Sequence, residues 1–209
     1  MNKHAHQSTN ANRVTGNLQQ IVDFILELDK LKGVTRKTRS TGLDRYENSA
    51  EHSWQIALLA ASLMPYAEPG VDINRVISML LVHDIGEIDT GDTIVYNEEG
   101  LEERKACELK AVTRIFGMLP DPQGAVFLAL WQEFEDGVTP EARFAHAADR
   151  AMPMLLNLAN AGQSWRENGI SYERVVRRME APIKAGCPAL WEYLLPRLEH
   201  ARGQGWFGG

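Results

Sequence analysis

Cysteine is nearly absent from this chain. Its two copies, Cys107 and Cys187, stand 80 positions apart in 209 residues, and neither belongs to a CxxC pair. That excludes a disulfide framework, a zinc ribbon and a dithiol redox motif, and it points to reduced thiols in a cytoplasmic protein. Long apolar runs are missing too. No stretch approaches the roughly 20 apolar residues of a membrane span, and the polar N-terminus (MNKHAHQSTNANRVTGN) has no signal-peptide core. Surplus positive charge is also lacking: the formal net charge is -6 and the sequence pI about 5.5. A long nucleic acid is therefore disfavoured as a ligand, whereas a small phosphorylated molecule is not. No run alternates with period 2 between hairpin turns, and no repeat or low-complexity linker divides the chain. The length suits a single domain.

What is present reads as helix. Ile21, Phe24, Ile25, Leu28 and Leu31 fall at helical spacing and predict a first amphipathic helix ending near Gly33. Residues 34–48 are polar, basic and aperiodic, and are expected to form a loop. Further helices are predicted from Ser49 to about Pro65, over about 73–86 and over about 99–118, with an acidic loop, IDTGDTIVYNEEG, between the last two. Asp121-Pro122 and Thr139-Pro140 each place a capping side chain before a proline at the first helical position, opening helices of about 122–135 and 140–161. Ser171 and Cys187-Pro188 open two C-terminal helices within 171–201. Residues 1–15 lack apolar periodicity and are expected to be a flexible tail before an all-α domain over 16–209.

Three of these helices carry polar groups where a core face should be apolar. Val76, Leu80, His83, Asp84 and Glu87 form one helical stripe, so the last three continue the face that the first two bury. His52 shares a face with Ile56, Leu59 and Leu63, and Asp149 lies in line with Ala145, Met152 and Leu156. A buried carboxylate must find a partner or lose its charge. One divalent cation held by His52, His83, Asp84 and Asp149 satisfies all of them. This nitrogen–oxygen set suits Mn, Co, Zn, Fe, Ni or Mg without choosing among them. Water or a substrate oxygen then fills the remaining positions. Glu87, on the same face, would reach the ion's surroundings without being a ligand. Burial beside other carboxylates should raise its pKa, which suits a general acid.

The order His52, His83-Asp84, Asp149 resembles the signature of HD-domain phosphohydrolases. The strings RSTGLDRYENSAEHSW and LLVHDIGEIDTGD are similar to the five-prime-nucleotidase branch of that superfamily, over about 16–160. The resemblance implies a helical bundle, a metal-site core over about 49–160 and a homodimer. It implies an enzyme releasing phosphate from nucleoside 5′-monophosphates, with deoxyribonucleotides preferred. It also places an essential acid at Glu87, a second functional carboxylate at Asp92, and arginines for the substrate phosphate at Arg39 and Arg45, with Arg36 and Lys37 as nearby alternatives. A tryptophan common near the first arginine is replaced here by Leu43 or Lys37, which leaves ribose-versus-deoxyribose selection open.

HD proteins with two metals add histidines between the HD pair and the last Asp. None occurs here from 85 through 145, which favours one ion, with His146 in a surface or supporting role. Two other readings keep the same residues. One is an HD-domain hydrolase of nucleoside triphosphates or of another small phosphate ester; the other is a non-catalytic helical module that a metal stabilises.

Overall fold

The computed structural model of the chain describes residues 3–93, 96 and 101–208, the side chains of 3–13 and 101 excepted. The chain runs through α1 (Lys3–Leu28), a 3-10 turn (Asp29–Gly33), strands β1 (Thr35–Arg39) and β2 (Tyr46–Asn48), and α2 (Ser49–Leu63). A second 3-10 turn (Met64–Tyr66) leads to α3 (Ile73–Val82), α4 (Glu87–Thr90), α5 (Leu101–Phe116) and α6 (Gln123–Asp136). The chain ends with α7 (Pro140–Ala159), α8 (Gln163–Glu167), α9 (Tyr172–Gly186) and α10 (Pro188–Gly203). The helical class expected from periodicity holds. No helix among the described residues is long and apolar enough to cross a membrane.

Helix α7 is the axis of the bundle, packing against α2, α3, α6, α9 and α10. Its alanines explain how. Ala142, Ala145, Ala147, Ala148 and Ala151 are buried, and such small side chains let neighbouring backbones approach. At Gly186 of α9 a Cβ would collide with the Arg143 carbonyl of α7, so only glycine fits there. Caps fall where the sequence places them for several helices. Thr139 Oγ1 accepts the Ala142 amide at 3.1 Å, and Ser171 Oγ accepts that of Arg174 at 3.2 Å. Asn48 and Glu51 form a full capping box at the start of α2.

Several boundaries differ from expectation. Helical backbone runs from Lys3 through most of the segment read as a tail. Its lack of an apolar stripe removes the signal of a packed helix, though nothing in it, such as a proline, forbids one. The 34–48 loop contains a two-stranded antiparallel hairpin pairing Thr35 with Asn48 and Arg39 with Tyr46, too short and polar to announce itself. The Asp121–Pro122 peptide is cis, and α6 begins at Gln123 with no side-chain cap. Residues 94, 95 and 97–100 of the expected acidic loop lie outside the described residues.

The most consequential difference is at the third predicted helix, which stops at Val82 rather than Gly86. His83 is its cap, and residues 83–86 form a turn closed by short-range bonds, Ile85 N–H to Val82 O and Glu87 N–H to Asp84 O. Trp131 of α6 donates its indole N–H to the His83 carbonyl at 3.0 Å, pinning the turn from outside. Gly86 lets it lie against α5, where a Cβ would meet Val112 at 3.3 Å and the Glu108 carbonyl at 3.4 Å. His83, Asp84 and Glu87 are therefore gathered by a tight turn, not by a continuous helix face.

Candidate metal centre and active site

Four elements deliver the site: the first turn of α2 brings His52, the turn after α3 brings His83 and Asp84, α4 opens on Glu87, and the middle of α7 brings Asp149. One donor atom from each of His52, His83 and Asp149 lies within 4.8 Å of the others, and all three residues are buried. His52 Nε2 is 3.0 Å from Asp149 Oδ1, and His83 Nε2 is 3.8 Å from the same oxygen. Asp84 Oδ1 sits 2.9 Å from His83 Nε2, while its Oδ2 accepts a hydrogen bond from Arg36 Nη1 at 2.8 Å.

The donor set fits a cation for a specific reason. The Leu80 carbonyl, 2.9 Å from His83 Nδ1, can only accept, so Nδ1 carries the hydrogen. His83 Nε2 then points its lone pair at two carboxylates, and it is a buried nitrogen without a hydrogen bond. Lone pairs facing lone pairs repel unless a positive charge sits between them. In the metal-free chain a proton plays that part. Burial alone lowers the pKa of His83, but Asp84 and Asp149 outweigh it and push it up to about 9. His52 moves the other way, to about 4, through burial and the nearby Arg36 charge. Burial would raise both aspartates. His83 and Arg36 nonetheless hold Asp84 down to about 2, and Arg150 with the two histidines holds Asp149 well below the usual range.

Around these residues lies a ring of acids bound to one cation. Arg36 of β1 reaches Asp84, then Asp92 at 3.6 Å and Glu87 at 3.9 Å through Nη1, and Glu47 at 3.5 Å through Nε. Glu87 is mostly buried and accepts the Ser49 hydroxyl at 2.5 Å. Burial and the Asp84 charge push its carboxyl up to about 9, so it stays protonated at neutral pH. Burial raises Asp92 as well, and takes Glu47 up to about 7.

Above the ring opens a cavity of about 440 Å³. Its walls carry His83, Asp84, Glu87, Asp92 and Asp149, whereas His52 lies sealed beneath. The arginines expected to meet substrate are elsewhere. Arg39, at the end of β1, pairs with Asp44 and lies 3.6 Å from Glu167, and Arg45 forks onto Glu51 at 2.6 and 2.8 Å on the exposed side of the hairpin. Neither lines the cavity. Arg36 and Lys37 do, as do Arg104, Lys105, Arg150 and Arg178. Strand β1 does not alternate regularly: its register against β2 shifts between Thr35 and Arg39, and Arg36, Lys37 and Thr38 all line the cavity whereas Arg39 does not.

His146 is committed to Phe134, 2.7 Å from its carbonyl and stacked on its ring at 4.2 Å, in a supporting place. Asp89, within the expected acidic loop, lies in α4 and pairs with Arg114 at 2.7 Å. Trp131, Trp165 and Trp191 are core, while Trp54 is 61% exposed. Glu47 escaped the sequence reading altogether, because nothing in an aperiodic polar segment separates a carboxylate that will be buried from one that will not.

The comparisons decide the family. An HD domain family model matches residues 28–191. The chain belongs to the HD domain family. A 5′-deoxynucleotidase HDDC2 from Dictyostelium discoideum is 30% identical over 169 residues, spanning 76% of this chain and 83% of that protein. The HDDC2 of Homo sapiens is 26% identical over 136 residues, which are 63% of this chain and 65% of the human one. Among solved structures, a predicted metal-dependent phosphohydrolase from Magnetospirillum magnetotacticum MS-1 is 40% identical. It superposes with a TM-score of 0.87, covering 93% of this chain and all of that one. The HD domain of this protein thus has helical relatives named for phosphate hydrolysis.

Proposed function

We propose that this HD domain is a metal-dependent phosphohydrolase that releases phosphate from nucleoside 5′-monophosphates, with deoxyribonucleotides preferred. The observation that carries the reading is the meeting of His83 and Asp149, in the wall of a cavity, with His52 beneath it, where the cavity also holds a protonated acid, Glu87, and a buried cation, Arg36. The resemblance to proteins named 5′-deoxynucleotidase supplies the substrate class.

His52, His83, Asp84 and Asp149 would hold one divalent ion, with Mn, Co, Zn, Fe, Ni and Mg all compatible with two imidazoles and two carboxylates. Such an ion supplies Lewis acidity toward phosphoryl oxygens and lowers the pKa of water. The rest falls to the chain. Arg36 and Lys37 offer positive charge to the phosphoryl group from the hairpin side. Glu87 holds a proton at its carboxyl and delivers it to the departing 5′ oxygen as the P–O bond breaks. Asp92, held beside Arg36, orients the sugar side of the substrate. The volume of the cavity lies within the range of about 300–1,000 Å³ usual for small-molecule sites.

Triphosphate hydrolysis is less well supported. Six cationic side chains share the cavity walls with six acids, and the relatives that the chain resembles are named 5′-deoxynucleotidases. A panel of 5′-mono-, di- and triphosphates, with chelator-stripped protein and single metals added back, tests the reading. Metal-dependent phosphate release from monophosphates, fastest with deoxyribose, is expected; release only from triphosphates would overturn it.

A cytoplasmic homodimer belongs to the same reading. The tryptophans of the C-terminal segment, Trp165 and Trp191, are buried and unavailable as an interface, whereas Trp54 and Leu58 expose an apolar patch on α2. Light scattering is expected to return twice the 23.4 kDa chain mass, and a monomer mass would remove the dimer from the reading.

A further inference from the structure

Three polar atoms beside the site are buried and make no hydrogen bond: Arg36 Nε, Glu47 Oε1 and His52 Nδ1. They are neighbours. Glu47 Oε1 lies 3.5 Å from Arg36 Nε and 3.7 Å from His52 Nδ1. The Glu47 side chain is 2% exposed and that of His52 is fully buried, so bulk solvent does not reach either one. Arg36 Nε and His52 Nδ1 thus each have Glu47 Oε1 as an ion-pair partner within 4.0 Å. Two are donors of hydrogen, or can be, and the third is a carboxylate oxygen with lone pairs for both.

The arrangement bears on which nitrogen of His52 holds the proton. With the hydrogen on Nε2, Nδ1 would turn a lone pair toward the Glu47 carboxylate in a space closed to bulk solvent. With the hydrogen on Nδ1, that edge turns an N–H toward the Glu47 carboxylate 3.7 Å away, and the Nε2 lone pair faces the position shared with Asp149, 3.0 Å away. Only the second form can ligate a cation. The same carboxylate also steadies Arg36 by its Nε edge, leaving Nη1 on Asp84 and toward Glu87 and Asp92. One buried acid on β2 thus touches both the metal-binding imidazole and the arginine at the cavity floor.

We propose that Glu47 is a positioning residue that selects the Nδ1–H form of His52 for metal binding and holds Arg36 at the cavity floor through its Nε. The proposal rests on the reading that His52 ligates an ion. Ligating histidines commonly pass their second N–H to a carboxylate, and loss of that partner weakens metal binding by about 10–100-fold.

The test uses the full chain, stripped with chelator and titrated with zinc by calorimetry against a competing chelator. Glu47→Gln keeps the volume and an acceptor oxygen, but turns an amide NH2 toward either Arg36 or His52. It is expected to bind zinc about 10–100-fold more weakly than wild type. Nitrogen-15 spectra of the zinc-loaded proteins supply a readout that a merely structural role would not move. Wild type should show His52 protonated at Nδ1 and ligated at Nε2, and Glu47→Gln should lose that single pattern. Glu47→Asp, which keeps the charge with a shorter reach, is expected to fall between the two and serves if the glutamine variant does not fold. Zinc affinity within about three-fold of wild type, with an unchanged His52 pattern, would overturn the proposal. A wild-type chain that binds neither zinc, manganese nor cobalt would instead overturn the metal reading itself, and Glu47 positioning with it.

Discussion

Arg36→Ala is expected to lower kcat/KM by about 10²–10³-fold, the usual cost of removing one preorganised charge from a reacting centre, and to destabilise the fold as well. Arg36 is the cation among four acids, Glu47, Asp84, Glu87 and Asp92, and its side chain is only 14% exposed. Without it, those carboxylates face one another in a space where solvent screens little. Breaking a buried ion pair typically costs about 3–5 kcal/mol, which for a chain of this size is a fall in Tm on the order of 10 °C. The loss should depend on pH with a definite sign. Acids lacking Arg36 hold their protons to higher pH, so the variant should be closer to wild type at pH 5.5 than at pH 8. Arg36→Lys keeps the charge but cannot fork between Asp84 and Glu47, and should fall between. Thermal melts at the two pH values, together with steady-state kinetics, check this. A variant melting within about 2 °C of wild type at pH 8 would mean that Arg36 is not the keystone of the acid cluster.

Glu87→Gln should separate activity from stability. The substitution removes the proton that Glu87 holds for the leaving oxygen, and kcat is expected to drop by about 10²–10⁴-fold with KM little changed. Metal-free stability should rise. The unfolded carboxyl titrates near its ordinary value of 4.5, whereas burial and Asp84 push the folded one up to about 9. Between those values the native state binds more protons than the unfolded state, so this group makes stability fall as pH rises from about 5 to 9. Glutamine cannot ionise and so removes that slope. Its carbonyl still accepts the Ser49 hydroxyl that Glu87 takes at 2.5 Å. At pH 8 the chelated variant should therefore exceed wild type by about 1–3 kcal/mol, the order of an uncompensated buried polar group. At pH 5 the two should coincide. Urea unfolding at both pH values measures the difference. Equal stability at pH 8 would place the Glu87 pKa near that of an ordinary carboxyl and remove its claim to be the proton donor.

Much of the candidate site was visible in the chain because burial leaves a periodic trace. His52, His83, Asp84 and Asp149 stand in register with Ile56, Leu80 and Ala145, and a helix repeats often enough for an ionisable residue on its apolar face to stand out. The helical class and the caps at Thr139 and Ser171 follow from the same local rules. Non-local contacts leave no such trace. Arg36 and Arg39 look alike in TRKTR, and only the folded hairpin, whose register shifts between Thr35 and Arg39, turns Arg36 toward Asp84. A strand of five residues offers too few periods for that choice to be read in advance.

The sequence by itself thus determined the helical bundle and the polar residues that its core must bury, because apolar periodicity and capping act over a few residues. Only the tertiary structure decided that α3 ends in a turn at His83, that Arg36 rather than Arg39 or Arg45 faces the cavity, and that Glu47 lies against His52. Those choices depend on Trp131 reaching the His83 carbonyl from α6, on the register of one short hairpin and on the closure of both around α7. Each is a contact between segments far apart in the chain, and its energy exists only once the whole core has assembled.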